Sequence, residues 1–144
     1  MPLGLTLASD IQSATESPGD TAAACAQTWA TLMGAYFIGV TPPSTAVSAA
    51  QATLQASLVS AFASAPGAGL ALMETAFLAF ATTIGTGMAP AFIAVPPVLP
   101  VGFAGLAPAE TAGEAASNLA NLISTWAQTG TATPAVGGSP VPWT

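Results

Sequence analysis

The sequence predicts an all-α protein, built as a small bundle of four main helices with extended, proline-rich apolar arms. Three observations predict this class. Apolar residues recur at three- and four-residue steps along several segments, 13 prolines and 14 glycines separate those segments, and 52% of the 144 residues are hydrophobic. We expect residues 1–130 to form one helical domain that includes an extended apolar arm at 88–107. Residues 131–144 form a Pro/Gly-rich C-terminal arm in this interpretation.

The charged residues exclude several classes of function. The chain has no Lys, Arg or His, and its six Asp and Glu residues give a net charge of −6. Nucleic-acid binding needs cations that neutralise phosphates, while His-based nucleophilic catalysis and His-ligated metals need imidazole. We therefore expect a protein that is not an enzyme, uses no cofactor or metal, and binds no nucleic acid. A carboxylate-only glycosidase is the remaining enzymatic alternative.

The beginning of the chain predicts two helices, the first of them short. A short helix over Leu7–Glu16 precedes a turn at residues 17–19, and a longer helix capped by Asp20 or Thr21 runs to about Ile38. Prolines 42 and 43 end that helix because proline cannot continue it. One face of this longer helix carries Cys25, Trp29, Leu32, Met33, Tyr36 and Phe37.

Two further helices follow, each bounded by proline or glycine. Ser44 is the expected N-cap of the next one, which extends to about Ser64 and is ended by Pro66 and Gly67. The following helix extends from about Ala68 to Ile84. The apolar stripes of the two are Val47, Leu54, Leu58, Val59 and Phe62, and Leu70, Met73, Phe77, Phe80 and Ile84.

The arm at 88–107 has four prolines and no helical period, yet it is apolar. A solvated linker would be polar, so we expect this arm to lie against a surface, its own or a neighbour's. Short strands are expected at Phe92–Val95 and at residues 98–101. The last helix then starts at Pro108, with Glu110 and Glu114 at its positive N-terminal end, and it ends at Gly130.

Glu74 is the most informative single residue. It lies four residues after Leu70 and three before Phe77, and therefore projects close to the apolar stripe of its helix. Three alternatives stay open: the side chain reaches water at the edge of the stripe, it is buried and hydrogen-bonded to Ser or Thr hydroxyls, or it meets a cation of another protein.

A contact role is expected for the arms. Trp143 stands at the end of a proline-rich tail, where a tryptophan in a pocket is the usual anchor. The expected interface residues are Glu74, Phe92, Val95, Val98, Leu99, Phe103, Val141 and Trp143.

A membrane is the less favoured alternative. Residues 75–95 form an uncharged run of nearly spanning length, but Gly85, Gly87 and Pro90 interrupt it. In that alternative the chain is a small membrane-embedded oligomer and Glu74 is its functional carboxylate.

The chain resembles small virion structural proteins of tailed bacteriophages. The resemblance rests on residues 87–92 (GMAPAF) with Val95-Pro96-Pro97, on residues 126–133 (WAQTGTAT), on the C-terminal VPWT, and on the turn at residues 41–44. It implies a non-enzymatic subunit of a large symmetric assembly in the virion. We expect a place in the tail or baseplate, with capsid decoration as the second location. The expected partners are further copies of the chain and other virion proteins, and the unpaired carboxylates suggest a basic surface on one of them.

Overall fold

Helices dominate the computed structural model, which describes residues 6–16 and 19–144, and the expected all-α bundle is confirmed. Ser17 and Pro18 of the expected turn lie outside the described residues. The helices are α1 (Leu7–Glu16), α2 (Ala22–Phe37), α3 (Val47–Ala63), α4 (Pro66–Thr86) and α5 (Ala112–Ala127). The strands are β1 (Phe92–Val95), β2 (Thr131–Pro134) and β3 (Val141–Pro142), and a 3-10 turn spans Phe103–Gly105.

The start of α2 resolves the choice between two expected caps. The Thr21 hydroxyl accepts a hydrogen bond from the backbone N–H of Ala24 at 3.1 Å. This bond satisfies one of the amides that a helix N-terminus leaves free. Thr21, and not Asp20, is therefore the N-cap.

Ser44 has a different role from the expected one. Its hydroxyl accepts from the Ala46 N–H at 3.2 Å and donates to the Ile84 carbonyl at 2.6 Å, whereas Ala46 is the N-cap of α3. Ser44 thus joins the start of α3 to the end of α4. The α4 helix begins two residues earlier than expected, because Pro66 suits the first helical position.

The expected ends of α5 are wrong at both termini. The helix begins after the N-cap Thr111 and not at Pro108, since the Thr111 hydroxyl accepts from the Glu114 N–H at 3.1 Å. Glu114 in turn accepts from the Glu110 N–H at 3.0 Å, which resembles a capping box. At the other end the C-cap is Gln128, and Gly130 lies beyond the helix.

The C-terminal segment, expected as an arm, folds back onto its own chain. β2 pairs antiparallel with β1 and with β3, so the sheet order is β1-β2-β3. The expected strand at Phe92–Val95 is confirmed. The one expected at residues 98–101 is wrong, because Pro97 and Pro100 remove ladder donors and the Leu99 carbonyl accepts a hydrogen bond from the Trp126 indole.

The core lies between the helices and extends under the sheet. α2 packs against α3, α3 against α4, and α1 against α5. Fully buried alanines such as Ala26, Ala30 and Ala50 let the helices approach closely, although each alanine buries little apolar area. Larger side chains fill the remaining space, including an edge-to-face pair between Phe37 and Phe80.

Candidate interaction surface

Glu74 binds the backbone of the arm that crosses its helix. Its Oε1 accepts hydrogen bonds from the Gly102 N–H at 2.9 Å and the Phe103 N–H at 2.8 Å. Its Oε2 is buried and has no hydrogen-bond partner among the described residues. The carboxylate therefore has partners within its own chain, a fourth arrangement beside the three alternatives that the sequence left open.

Glycine at position 102 makes this geometry possible. Gly102 has φ 87°, in the left-handed region, where residues with a Cβ are disfavoured. This conformation places two successive N–H groups so that both donate to one carboxylate oxygen. Adjacent backbone N–H groups of this kind form a small anion-binding concavity.

Two further contacts hold the arm, one at Leu99 and one through the ring of Phe103. The Trp126 indole N–H donates to the Leu99 carbonyl at 2.8 Å. The Phe103 ring packs edge-to-face on Phe77, with ring centroids 5.1 Å apart. The arm at 88–107 consequently lies against its own chain, one of the two surfaces that the sequence left open.

Trp143 is anchored in a socket of its own chain. Its side chain is 0% exposed, and its indole N–H donates to the Thr131 carbonyl at 3.2 Å. Gly130 lines this socket, and a Cβ at position 130 would lie 2.7 Å from the indole. Thr144 and Thr41 exchange two backbone hydrogen bonds of 2.7 and 3.1 Å. In this structure Trp143 has no surface left for a neighbouring subunit.

The outer surface of the sheet is apolar and exposed. Ile93 and Val95 alternate with the inward-facing Phe92 and Ala94, as neighbouring residues of a strand must. Ile93 is 64% and Val95 53% exposed. The register places Thr131 and Thr133 of β2 and Pro142 of β3 on the same face. We call this surface, continued by Val98 and Leu99, the apolar sheet face.

Exposed hydrophobic side chains concentrate in the sheet region, although Val141 pairs with Ala132 and so lies on the other side of the sheet from Ile93. Six of the eight large ones among the described residues belong to the sheet, its β2–β3 turn or the segment after β1, and only Ile38 and Leu72 lie elsewhere. Clustered apolar exposure of this kind marks contact sites more often than single exposed residues do.

The expected interface residues fall into three groups. Val95, Val98, Leu99 and Val141 are exposed, whereas Phe92, Phe103 and Trp143 pack inward and Glu74 binds the arm. Ile93 was missed, although the strand expected at Phe92–Val95 carries the signal: with a period of two, Phe92 and Val95 point to opposite faces. That these residues contact another molecule stays a prediction.

No charged side chain belongs to the apolar sheet face, although Glu74 binds the arm at Gly102, three residues after Leu99. None occurs between Glu74 and Glu110 or after Glu114, so the sheet and the arm consist of uncharged residues. Four of the six carboxylates, those of Glu16, Asp20, Glu110 and Glu114, lie where α1 ends and where α2 and α5 begin. The 16-residue α5 separates its N-terminal end from the sheet by about 24 Å. In the described part of the chain, no three Asp, Glu or Cys side chains cluster as metal ligands do.

Tyr36 is a buried titratable group between α2 and α5. Desolvation raises the pKa of its phenol above 10.0, and the Ser124 side chain partly offsets this effect. No hydrogen-bond partner of ordinary geometry reaches the phenol oxygen within the described residues. Tyr36 therefore favours the neutral form and packs edge-to-face on Phe37.

A shallow groove of about 450 Å³ lies between α1 and α2. Its polar lining consists of Asp10, Ser13, Thr28 and Thr31, beside Leu32 and two alanines. One carboxylate and three hydroxyls line it without a second acid or a base close by. The groove does not reproduce the paired carboxylates of the glycosidase alternative.

Among the described residues, one helix is long and apolar enough to cross a membrane. It is α4, Pro66–Thr86, and 33% of its qualifying segment is buried in the fold. The run considered from the sequence, residues 75–95, is divided between α4 and β1. The apolar residues of α4 pack partly inside the bundle, as they do in core helices.

No protein-family model, curated protein or solved structure matches this chain.

Proposed function

We propose that the chain is a non-catalytic structural subunit of a bacteriophage particle, located in the tail or baseplate, which acts through contact with neighbouring subunits. The observation that carries the proposal is the apolar sheet face, an exposed surface without charged side chains. A surface of this composition gains free energy when it is covered, because apolar area leaves water. The resemblance of the C-terminal half to small virion proteins is the reason for proposing a phage particle as the assembly.

The arrangement of the arms supports a contact role of a specific kind. Trp143 and the segment around Gly102 and Phe103 are bound within the same chain, so they shape the subunit rather than extend from it. Contact with neighbours then depends on the exposed part of the arms, chiefly Ile93, Val95 and Val98. A basic surface on another virion protein would complement the carboxylates at the start of α2 and α5.

The test is the composition of purified particles. Mass spectrometry of gradient-purified virions should detect the chain at a fixed copy number relative to the major capsid protein. Separated tails should contain it if it belongs to the tail or baseplate, whereas tail-less capsids should contain it if it is a decoration protein. Absence from both fractions would overturn the proposal.

A membrane-embedded oligomer is the alternative, and the length and composition of α4 favour it. In that reading Glu74 is the functional carboxylate on an apolar helix. Fractionation separates the two proposals: a membrane-embedded chain stays with the lipid until detergent is added. Release into buffer alone would exclude this alternative.

A further inference from the structure

We propose that the apolar sheet face binds a second copy of this chain about a two-fold axis, so that the subunit is a dimer. This inference rests on the proposed function, which requires contacts but does not name the partner at this face. The surface consists of Ile93 and Val95 of β1, flanked by Thr131, Thr133 and Pro142, and continued by Val98 and Leu99.

Charge favours a second copy as the occupant. Each copy carries −6 and has no cation, so two copies repel wherever their carboxylates approach. The stretches that form this face contain no charged side chain. The carboxylates at the start of α5 lie about 24 Å away along the helix, well beyond a Debye length of about 8 Å at physiological ionic strength. Glu74 binds the arm three residues after Leu99, but its Oε1 is held by two amides of its own chain and its Oε2 is buried. Two such faces can therefore meet with little like-charge repulsion.

Other partners fit this face less well. A basic partner would find no carboxylate on it. An anionic lipid surface is normally held by Lys and Arg around an apolar patch, and the chain has neither. A second uncharged apolar face is the complementary surface, and the chain itself supplies one.

Symmetry follows from the distribution of exposed apolar residues. A head-to-tail contact would need a different apolar surface to receive this face. Outside this region, only Ile38 and Leu72 are large and exposed in the described part of the chain, and they are single residues. The face must then pair with its own counterpart, which makes the contact isologous and closes the assembly at two copies.

Sedimentation equilibrium of the purified chain tests this inference. The wild-type chain should reach a reversible monomer–dimer equilibrium. Ile93→Glu places a carboxylate in the contact of each copy and should weaken dimerisation about tenfold or more, because like charges brought together at an interface are costly. Leu72→Glu is the matched control, since it adds the same charge at a 41% exposed leucine on α4 and should dimerise as the wild type does.

A second variant and salt complete the test. Val98→Glu, at a 75% exposed position outside the strands, should also weaken dimerisation. It keeps the inference testable if circular dichroism shows that Ile93→Glu disturbs the sheet. Sodium sulfate should strengthen an apolar dimer, whereas an ionic contact would weaken with salt.

The inference is overturned by a wild-type monomer at every concentration, by an assembly that continues beyond two copies, by a dimer dissociated by salt, or by equal effects of the variants and the Leu72→Glu control. None of these results bears on whether the chain is present in purified particles, so the proposed function is tested separately. Binding of the wild type to anionic vesicles, lost in Ile93→Glu, would identify a lipid surface as the occupant and would also overturn it.

Discussion

Glu74 and Phe103 are joined by a 2.8 Å hydrogen bond from a backbone amide to a carboxylate, 29 residues apart in the chain. Together with the bond from Gly102 it ties the arm to the middle of α4. The two backbone N–H groups stabilise Oε1 without a cation, whereas Oε2 has no partner among the described residues. The bond explains how a chain without Lys or Arg accommodates an acidic residue beside its apolar core.

Replacing Glu74 tests the role of this contact. Glu74→Ala leaves two partly buried amides unpaired and should lower the free energy of unfolding by about 1–3 kcal/mol. Glu74→Gln keeps one acceptor and should cost less. Urea denaturation measures the stability, and faster hydrogen exchange at the Gly102 and Phe103 amides would localise the effect. The control is the exposed neighbour Thr75→Ala, which should be nearly silent. An Ala variant with wild-type stability and exchange would refute this role.

Trp143 should contribute strongly to stability although it lies at the end of the chain. Trp143→Ala empties a fully buried socket and should lower the free energy of unfolding by about 3–5 kcal/mol. Trp143→Phe should lose less, since it keeps a ring but not the indole bond to Thr131. Chemical denaturation checks both. Val136→Ala, at a 99% exposed site, is the silent control, and equal stability of Trp143→Ala and this control would contradict the socket.

Gly130 should not tolerate a side chain. A Cβ there would meet the Trp143 ring at 2.7 Å and Pro97 at 2.9 Å, so Gly130→Ala should destabilise the fold by about 1–3 kcal/mol. Gly67→Ala is the matched control, because no atom lies within 4 Å of its added Cβ and alanine favours helix by up to about 1 kcal/mol. Differential scanning calorimetry should show opposite shifts in Tm. Shifts in the same direction would argue against close packing at Gly130.

Tyr36 predicts a loss of stability in alkali. Its folded-state pKa is raised above 10.0 by desolvation, so the unfolded chain releases the phenolic proton first. The resulting contribution of Tyr36 to folding stability is complete below pH 10.0, the ordinary pKa of tyrosine. It is lost as pH rises through the folded-state pKa. Tyr36 is the only tyrosine, so tyrosinate absorbance reports this group directly. Its midpoint should lie above 10.0 in the folded chain, and Tyr36→Phe should flatten the stability profile in that range. A midpoint at or below the ordinary value would contradict burial of the phenol.

The helices and their order were predictable from the sequence, because proline and glycine bound apolar stripes of helical period. The cap at Thr111 was missed although Thr111 and Glu114 have the spacing of a capping box, since Pro108 provided a competing start signal. The β2 and β3 strands were missed for a different reason. Thr131–Pro134 is short, and it becomes a strand only through pairing with β1, a contact between distant segments that local patterns do not encode.

The candidate surface was partly predictable. Val95, Val98 and Leu99 were expected as contact residues from the apolar character of the arm, and they are exposed. Glu74 was recognised as unusual, but its partners are backbone amides positioned by Gly102, and backbone geometry is not visible in residue types. Trp143 was expected to be docked. The sequence did not show whether it docks on its own chain or on a neighbour, because the socket beside Gly130 forms only in the folded structure.

Photo-cross-linking in assembled particles tests the central claim most directly. A photoreactive amino acid replaces Ile93 on the apolar sheet face, or Leu72 on α4 as the control, and gradient-purified particles are irradiated. The account predicts that the chain is present in the particles and that position 93 forms a covalent adduct with another copy of the chain while position 72 forms none. Particles without the chain, or adducts at position 72 but none at 93, would contradict it.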